Sequence, residues 1–135
     1  MRTAIQRVRE AVVTVDDCAV AQIGVGLLVL CGVAPSDSIA GADWLAHKIV
    51  ALRIFDDDAR VMNRSVRDKG GEILAVSQFT LHASTKKGAR PSYSGAATPE
   101  VARPMFDASS PRSSANSGAG SRLACSARKD RKSVV

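Results

Sequence analysis

The sequence predicts a single strand-rich α/β domain, with two helices against a mixed sheet or partly closed barrel. Three observations predict it. The 135 residues suit one domain. Gly26 to Val33 is a continuous apolar run, as expected of a strand covered on both faces. Behind it Ile39, Ala42, Leu45, Ile49 and Leu52 recur at spacings of three and four, which is one stripe of a helix.

The elements follow in order. Ile5 to Val15 alternates in part, with Val13 and Val15 inward and Thr14 outward, and Asp16-Asp17 supplies a turn to a second strand. Pro35, Ser36 and Asp37 end the apolar run and offer an N-cap for the striped helix. Trp44, inside that helix, is expected in the core. Arg53-Ile54-Phe55, a turn at Asp56-Asp57-Asp58, and Val61-Met62 read as a short hairpin. After Lys69-Gly70-Gly71 comes a second buried strand, Glu72 to Leu81. The segment from Lys86 to Gly95 is basic and short of bulky apolar groups, as an exposed loop is. Thr98 then caps a helix that has Pro99 at its first position.

Composition breaks near Phe106. Residues 107–135 hold eight Ser and five Ala, with Leu123, Cys125, Val134 and Val135 as their only larger apolar groups. Such a segment cannot offset its ordering entropy by burial. It is expected to be a poorly packed tail behind a domain of residues 1–106. The charge divides the same way. Residues 1–106 carry 13 Lys and Arg against 11 Asp and Glu, or +2, and the tail carries 6 against 2, or +4. The basic balance is therefore weak evidence that the domain binds nucleic acid.

Several classes are excluded. A hydrophobic content of 45% is too high for a chain disordered throughout. The run from Val25 to Val33 is too short to span a bilayer, so no membrane role is expected. Polar residues interrupt Met1 to Arg7 at once, unlike a secretory signal. Cys18, Cys31 and Cys125 share no CxxC spacing, which suggests no disulfide framework and a cytoplasmic protein. His47 and His82 lie on different elements, so no metal site is expected. Gly24-Val25-Gly26 lacks the third glycine of a dinucleotide fingerprint, so no cofactor is expected.

The informative stretch is Ser77-Gln78-Phe79-Thr80, polar where a core strand would stay apolar. Strand alternation would put Gln78, Thr80 and His82 on one face and Ser77 and Phe79 on the other. Thr80 with His82 suggests a nucleophile and base, although no carboxylate is placed to orient the ring. A strand turning polar as it emerges into solvent explains the same residues. Lys86, Lys87 and Arg90 are either a solvated loop or a phosphate contact, and Tyr93 lies close enough in sequence to stack on a base.

These segments closely resemble the D-aminoacyl-tRNA deacylase family. The resemblance rests on Ile5-Gln6-Arg7-Val8, Gly26-Leu27-Leu28-Val29-Leu30, Leu52-Arg53-Ile54-Phe55, Gly70-Gly71-Glu72-Ile73-Leu74, Ser77-Gln78-Phe79-Thr80-Leu81, and Lys87-Gly88 through Arg90-Pro91-Ser92. It runs from residue 1 to about 106. It implies that family's fold and a cytoplasmic homodimer that hydrolyses the ester of D-aminoacyl-tRNA, and of mischarged glycyl-tRNA, as a chiral proofreader. The implied catalytic residues are Ser77, Gln78, Phe79 and Thr80. The implied tRNA contacts are Arg7, Lys86, Lys87, Arg90 and Ser92. In the family, main-chain groups and the RNA's terminal 2′-hydroxyl carry the hydrolysis, which fits the lack of a His and carboxylate partner for Thr80. Members commonly lack a His at the position of His82.

One departure is sharp. The family's second motif, Asn-x-Gly-Pro-Val-Thr, is absent, and no Gly-Pro pair occurs in this chain. In the family that motif reaches into the partner's pocket and excludes L-amino acids. The tail has the character of a frameshift. With allowed codons, Ser109 to Gly118 read one base out of register can give Phe-Val-Ala-Ala-Leu-Glu-Arg-Glu-Leu-Gly. Carried on to Ala127, the same frame can give a stretch with Val-Glu-Thr-Gly-Val-Phe-Gly, which looks like the family's next strand. The alternative to an active esterase is a remnant that only binds tRNA or dimerises.

Overall fold

The computed structural model describes residues 1–86, 88–109, 121–124 and 132–134. β1 (Arg2–Val8) is followed, after Arg9-Glu10, by β2 (Ala11–Val15). The alternation read as one strand from Ile5 is therefore two strands. Asp16 and Asp17 both take positive φ, 49° and 60°. That left-handed pair matches the twist of a two-residue hairpin, and β3 (Cys18–Ile23) returns antiparallel.

β4 (Gly26–Gly32) is buried everywhere except at the half-buried Leu30. Asp37 does not cap the following helix. Its carboxylate accepts from the Ala34 amide at 2.7 Å and pairs with the N-terminal ammonium, leaving Ser38 Oγ to accept from Gly41 N at 3.1 Å. α1 (Ile39–Ala51) buries Ala42, Ala46 and Ile49. Its stripe is rotated from the expected one, running through Ala42 and Ala46. Ile39 lies outside it, and Trp44 is 65% exposed rather than in the core. Two residues from Ala42, the Trp44 side chain points to the far side of the helix. β5 (Phe55–Asp56) and β6 (Met62–Arg64) form the expected hairpin. The Asp57 carboxylate organises its turn, accepting from Ala59 N, Val61 N and Asn63 Nδ2.

β7 (Glu72–Ser77) pairs parallel with β4, starting at Gly26 and Glu72. A Cβ on Gly26 would strike the Glu72 main chain, so glycine is what lets these strands meet. The expected strand to Leu81 ends four residues early, at Ser77, and Phe79–His82 form a 3₁₀ turn instead. α2 (Pro99–Ser109) starts where expected, with Val101 N and Ala102 N donating to Thr98 O. It runs three residues past the compositional break.

β8 (Ser121–Ala124) pairs parallel with β7, and β9 (Lys132–Val134) pairs antiparallel with β2. Both fall in the segment whose composition predicted no packing. Ladder hydrogen bonds come from the backbone, and composition does not report on those. The rest of the expected tail, residues 110–120, 125–131 and 135, lies outside the described residues.

One sheet thus has the order β1-β4-β7-β8, with β1 antiparallel to β4, and a second has the order β3-β2-β9. Alternation along β4 and β7 builds a core on each face of the first sheet. Leu27, Val29, Cys31, Ile73 and Ala75 pack with Ile49, Phe55, Val66 and Phe106 on the helical side. Leu28, Leu74 and Val76 pack with Ala11, Val13 and Ile23 of the second sheet. The expected α/β class with a mixed, strand-rich sheet and two helices holds.

Candidate active site

β4 and β7 run in the same direction, so both carboxyl ends finish together. In open α/β sheets that edge is where ligands bind. Gln78 N donates to Cys31 O at 2.7 Å, extending the ladder one step beyond the strand. The chain then turns. Leu81 N donates to Gln78 O at 3.3 Å and Ala83 N to Thr80 O at 3.1 Å. Gly32 permits this turn to lie over the end of β4: a Cβ there would sit 3.0 Å from Gln78 O, Leu81 Cβ and His82 Cδ2.

The turn overrides the alternation that the sequence predicts past Ser77. Gln78 Nε2 donates to Thr80 Oγ1 at 2.5 Å. Ser77, Gln78 and Thr80 are half-buried, and Phe79 is 58% exposed. The amides of Phe79 and Thr80 open the turn and make no bond within it. His82 goes inward. Its ring is buried and its Nε2 has no hydrogen-bond partner among the described residues. His82 is therefore not aimed at the Thr80 hydroxyl, which already accepts a hydrogen bond from Gln78.

The other expected contacts divide. Ser84 and Ser92 exchange main-chain hydrogen bonds at 2.8 and 2.9 Å, closing the basic loop into an arch beside the turn. Lys86, Arg90 and Ser92 are exposed on or at the base of that arch, and Lys87 lies outside the described residues. Ser92 Oγ lies 3.2 Å from Ser94 Oγ. Tyr93 follows directly, its ring meeting that of Phe79 edge-on, 5.3 Å between centroids at 77°.

Arg7 is elsewhere. It pairs with Leu27, whereas Ser77 pairs with Cys31 on the same strand. Four residues of β4 separate them, roughly 13 Å along the strand. Arg7 Nη1 donates instead to Ile54 O at 2.8 Å and Asp56 Oδ1 at 3.3 Å. Arg2, not among the expected contacts, reaches the turn. Antiparallel register sets it opposite Gly32, and its Nη1 donates to Leu81 O at 3.2 Å. Nothing in the residue types marks Arg2, and only the register finds it.

No group of three or more potential metal ligands comes together among the described residues, and no helix among them is long and apolar enough to cross a membrane. An open groove of about 350 Å³ bordered by Arg9, Glu10, Gln22, Ile23, Gly24 and Glu72 lies at the opposite end of β4, away from the turn.

Known proteins resemble this chain. The family described as "D-Tyr-tRNA(Tyr) deacylase" matches residues 4–121. A D-aminoacyl-tRNA deacylase of Dechloromonas aromatica is 59% identical over 107 residues, 79% of this chain and 71% of that protein. That of Parabacteroides distasonis is 58% identical over 108 residues, covering 80% and 72%. The solved structure of a c-Myc DNA unwinding element binding protein superposes with a TM-score of 0.84 at 30% identity, covering 99% of this chain and 89% of that one. A probable eukaryotic D-amino acid tRNA deacylase has a TM-score of 0.71 at 15% identity, covering 98% and 91%, a likeness of fold alone. The polar turn at the ends of β4 and β7 and these matches agree, and the chain belongs to the D-Tyr-tRNA(Tyr) deacylase family.

Proposed function

We propose that the protein hydrolyses the ester bond of D-aminoacyl-tRNA, releasing the free D-amino acid and tRNA. The observation that carries this is the Ser77–Thr80 segment, which leaves the sheet in a member of this family and whose Phe79 and Thr80 amides have no hydrogen-bond partner among the described residues. The Phe79 and Thr80 amides hold the carbonyl oxygen as negative charge develops on it, with no titrating group needed. Water adds to the carbonyl carbon, assisted by the terminal 2′-hydroxyl of the RNA. The tetrahedral centre then collapses and expels the 3′-oxygen, which leaves protonated. Gln78 holds the turn in shape through Thr80 Oγ1. Ser77 anchors the start of the turn at the end of β7.

Arg7, Lys86, Lys87, Arg90 and Ser92 serve as contacts to the RNA backbone, and Arg2, bound to Leu81 O, joins them. Mischarged glycyl-tRNA is a further substrate, and the role is chiral proofreading in the cytoplasm. A homodimer fits the open character of the site, which has no opposing wall among the described residues.

The lack of any Gly-Pro pair favours a second reading, a chain that binds tRNA or dimerises without turnover. One assay separates the two: deacylation of D-Tyr-tRNA and L-Tyr-tRNA by this chain and by a copy with the reading frame restored after Ser109. D-selective release by either one supports the esterase. Binding without release by both overturns it in favour of the remnant. A gene whose codons beyond Ser109 cannot encode the family's strand in the neighbouring frame ends the frameshift explanation.

A further inference from the structure

We infer that Phe79 and Tyr93 together form a stacking platform for a nucleobase at the unpaired 3′ end of the RNA, which makes Tyr93 a substrate-binding residue outside the Ser77–Thr80 motif. This rests on the hydrolytic reading of the site. Two large aromatic rings exposed together at a surface are uncommon in a protein that buries its core well. Phe79 is 58% exposed and Tyr93 42%. Their edge-on contact leaves ring face open on the pair. The rings are held in place by main chain. Tyr93 follows the Ser84–Ser92 closure and its carbonyl accepts from Ala96 N at 3.0 Å, while Ala97 N donates to Val33 O at 2.8 Å. A platform pinned at both ends loses little freedom on binding.

Charge identifies the occupant. From Ile73 to Pro99 there is no Asp or Glu, whereas Lys86, Lys87 and Arg90 all lie there. Arg2 approaches from the other side, fixed on Leu81 O. An aromatic surface on a loop that carries Lys86 and Arg90, with Arg2 bound to the neighbouring turn, suits a flat π-faced group joined to phosphates, which is a nucleotide of a single strand. Because the Phe79 amide belongs to the same residue as one ring, a base stacked here lies beside the ester that amide polarises.

The test uses the fact that the chain has one Trp and one Tyr. In a Trp44→Phe background, Tyr93 is the sole strong fluorophore. Titration with the trinucleotide CCA is expected to quench it saturably, while the same ribose-phosphate chain without bases does not. Tyr93→Leu is expected to raise KM for D-Tyr-tRNA about 5- to 100-fold, the usual range for losing one stacked base, with kcat little changed. Tyr93→Phe recovers most of that loss. Equal quenching by the abasic chain, or an unchanged KM in Tyr93→Leu, overturns the platform. So does a Tyr93→Leu variant whose only change by sedimentation is its oligomeric state, which makes the patch an interface between copies. Quenching by CCA in a parent protein that hydrolyses no aminoacyl-tRNA supports the platform and sinks the esterase reading instead.

Discussion

Gly32 at the end of β4 and His82 at the end of the 3₁₀ turn approach so closely that a Cβ on Gly32 would lie 3.0 Å from His82 Cδ2. The same Cβ would meet Gln78 O and Leu81 Cβ at 3.0 Å. The sheet below is packed on both faces, so the turn is what yields. Gly32→Ala is expected to lower turnover of D-Tyr-tRNA about 100-fold, the scale set by a displacement of about 1 Å. Its stability loss should stay near the 1–3 kcal/mol of ordinary overpacking. Steady-state kinetics beside a thermal melt checks this. A variant that melts early but turns over normally would show that the turn does not depend on Gly32.

Thr80 is a second point of decision. Its hydroxyl accepts from Gln78 and faces no base. Thr80→Ala should therefore slow hydrolysis only by about fivefold, in line with one lost hydrogen bond of about 1 kcal/mol. A covalent nucleophile would lose activity altogether. Single-turnover release of D-tyrosine distinguishes the two.

Phe106 is 1% exposed and ties α2 into the core shared by α1 and the first sheet. Phe106→Ala is expected to destabilise the fold by about 3–5 kcal/mol. Urea unfolding followed by Trp44 emission measures it. A loss below about 1 kcal/mol would mean that α2 is not part of the cooperative unit.

The thiols should differ in reactivity. Burial pushes Cys31 up to about 11, so almost none is thiolate at neutral pH, whereas Cys18 is exposed on β3. In a Cys125→Ser background, a thiol reagent at about pH 7 should label Cys18 rapidly and Cys31 only on unfolding. Equal rates in native buffer would contradict the buried placement.

Acid should weaken the loops before the core. The Asp57 carboxyl is held below its ordinary 3.8, first by the Val61 amide it accepts and then by Asn63 and Ala59. Asp68 is lowered by the amide and hydroxyl of Ser65. At Asp37 burial pushes upward but is outweighed by the N-terminal ammonium, the Ala34 amide and the charge of His82. Depressed carboxylates add stability above pH 3.8 that is lost as pH falls through their lower folded values. Asp57→Asn should therefore be less stable than the parent at about pH 7, with the gap closing towards about pH 3. Denaturation midpoints at the two pH values test the sign.

Much was fixed locally. Asp16-Asp17 determined the β2–β3 turn, the apolar run from Gly26 determined a strand buried on both faces, and Thr98-Pro99 determined the start of α2. These are short-range signals that need no partner. The Ser77–Thr80 motif was equally plain as a break in an apolar pattern. What it became was decided by packing. A 3₁₀ turn rather than a strand follows from Gly32 beneath it, and that sent His82 inward instead of toward Thr80. Trp44 faces solvent because α1 turns the face of Ala42, Ala46 and Ile49 inward, a choice of face that spacing alone does not contain. Arg2 meets Leu81 of the turn, and Tyr93 meets Phe79, only because strand register and loop closure bring distant residues together.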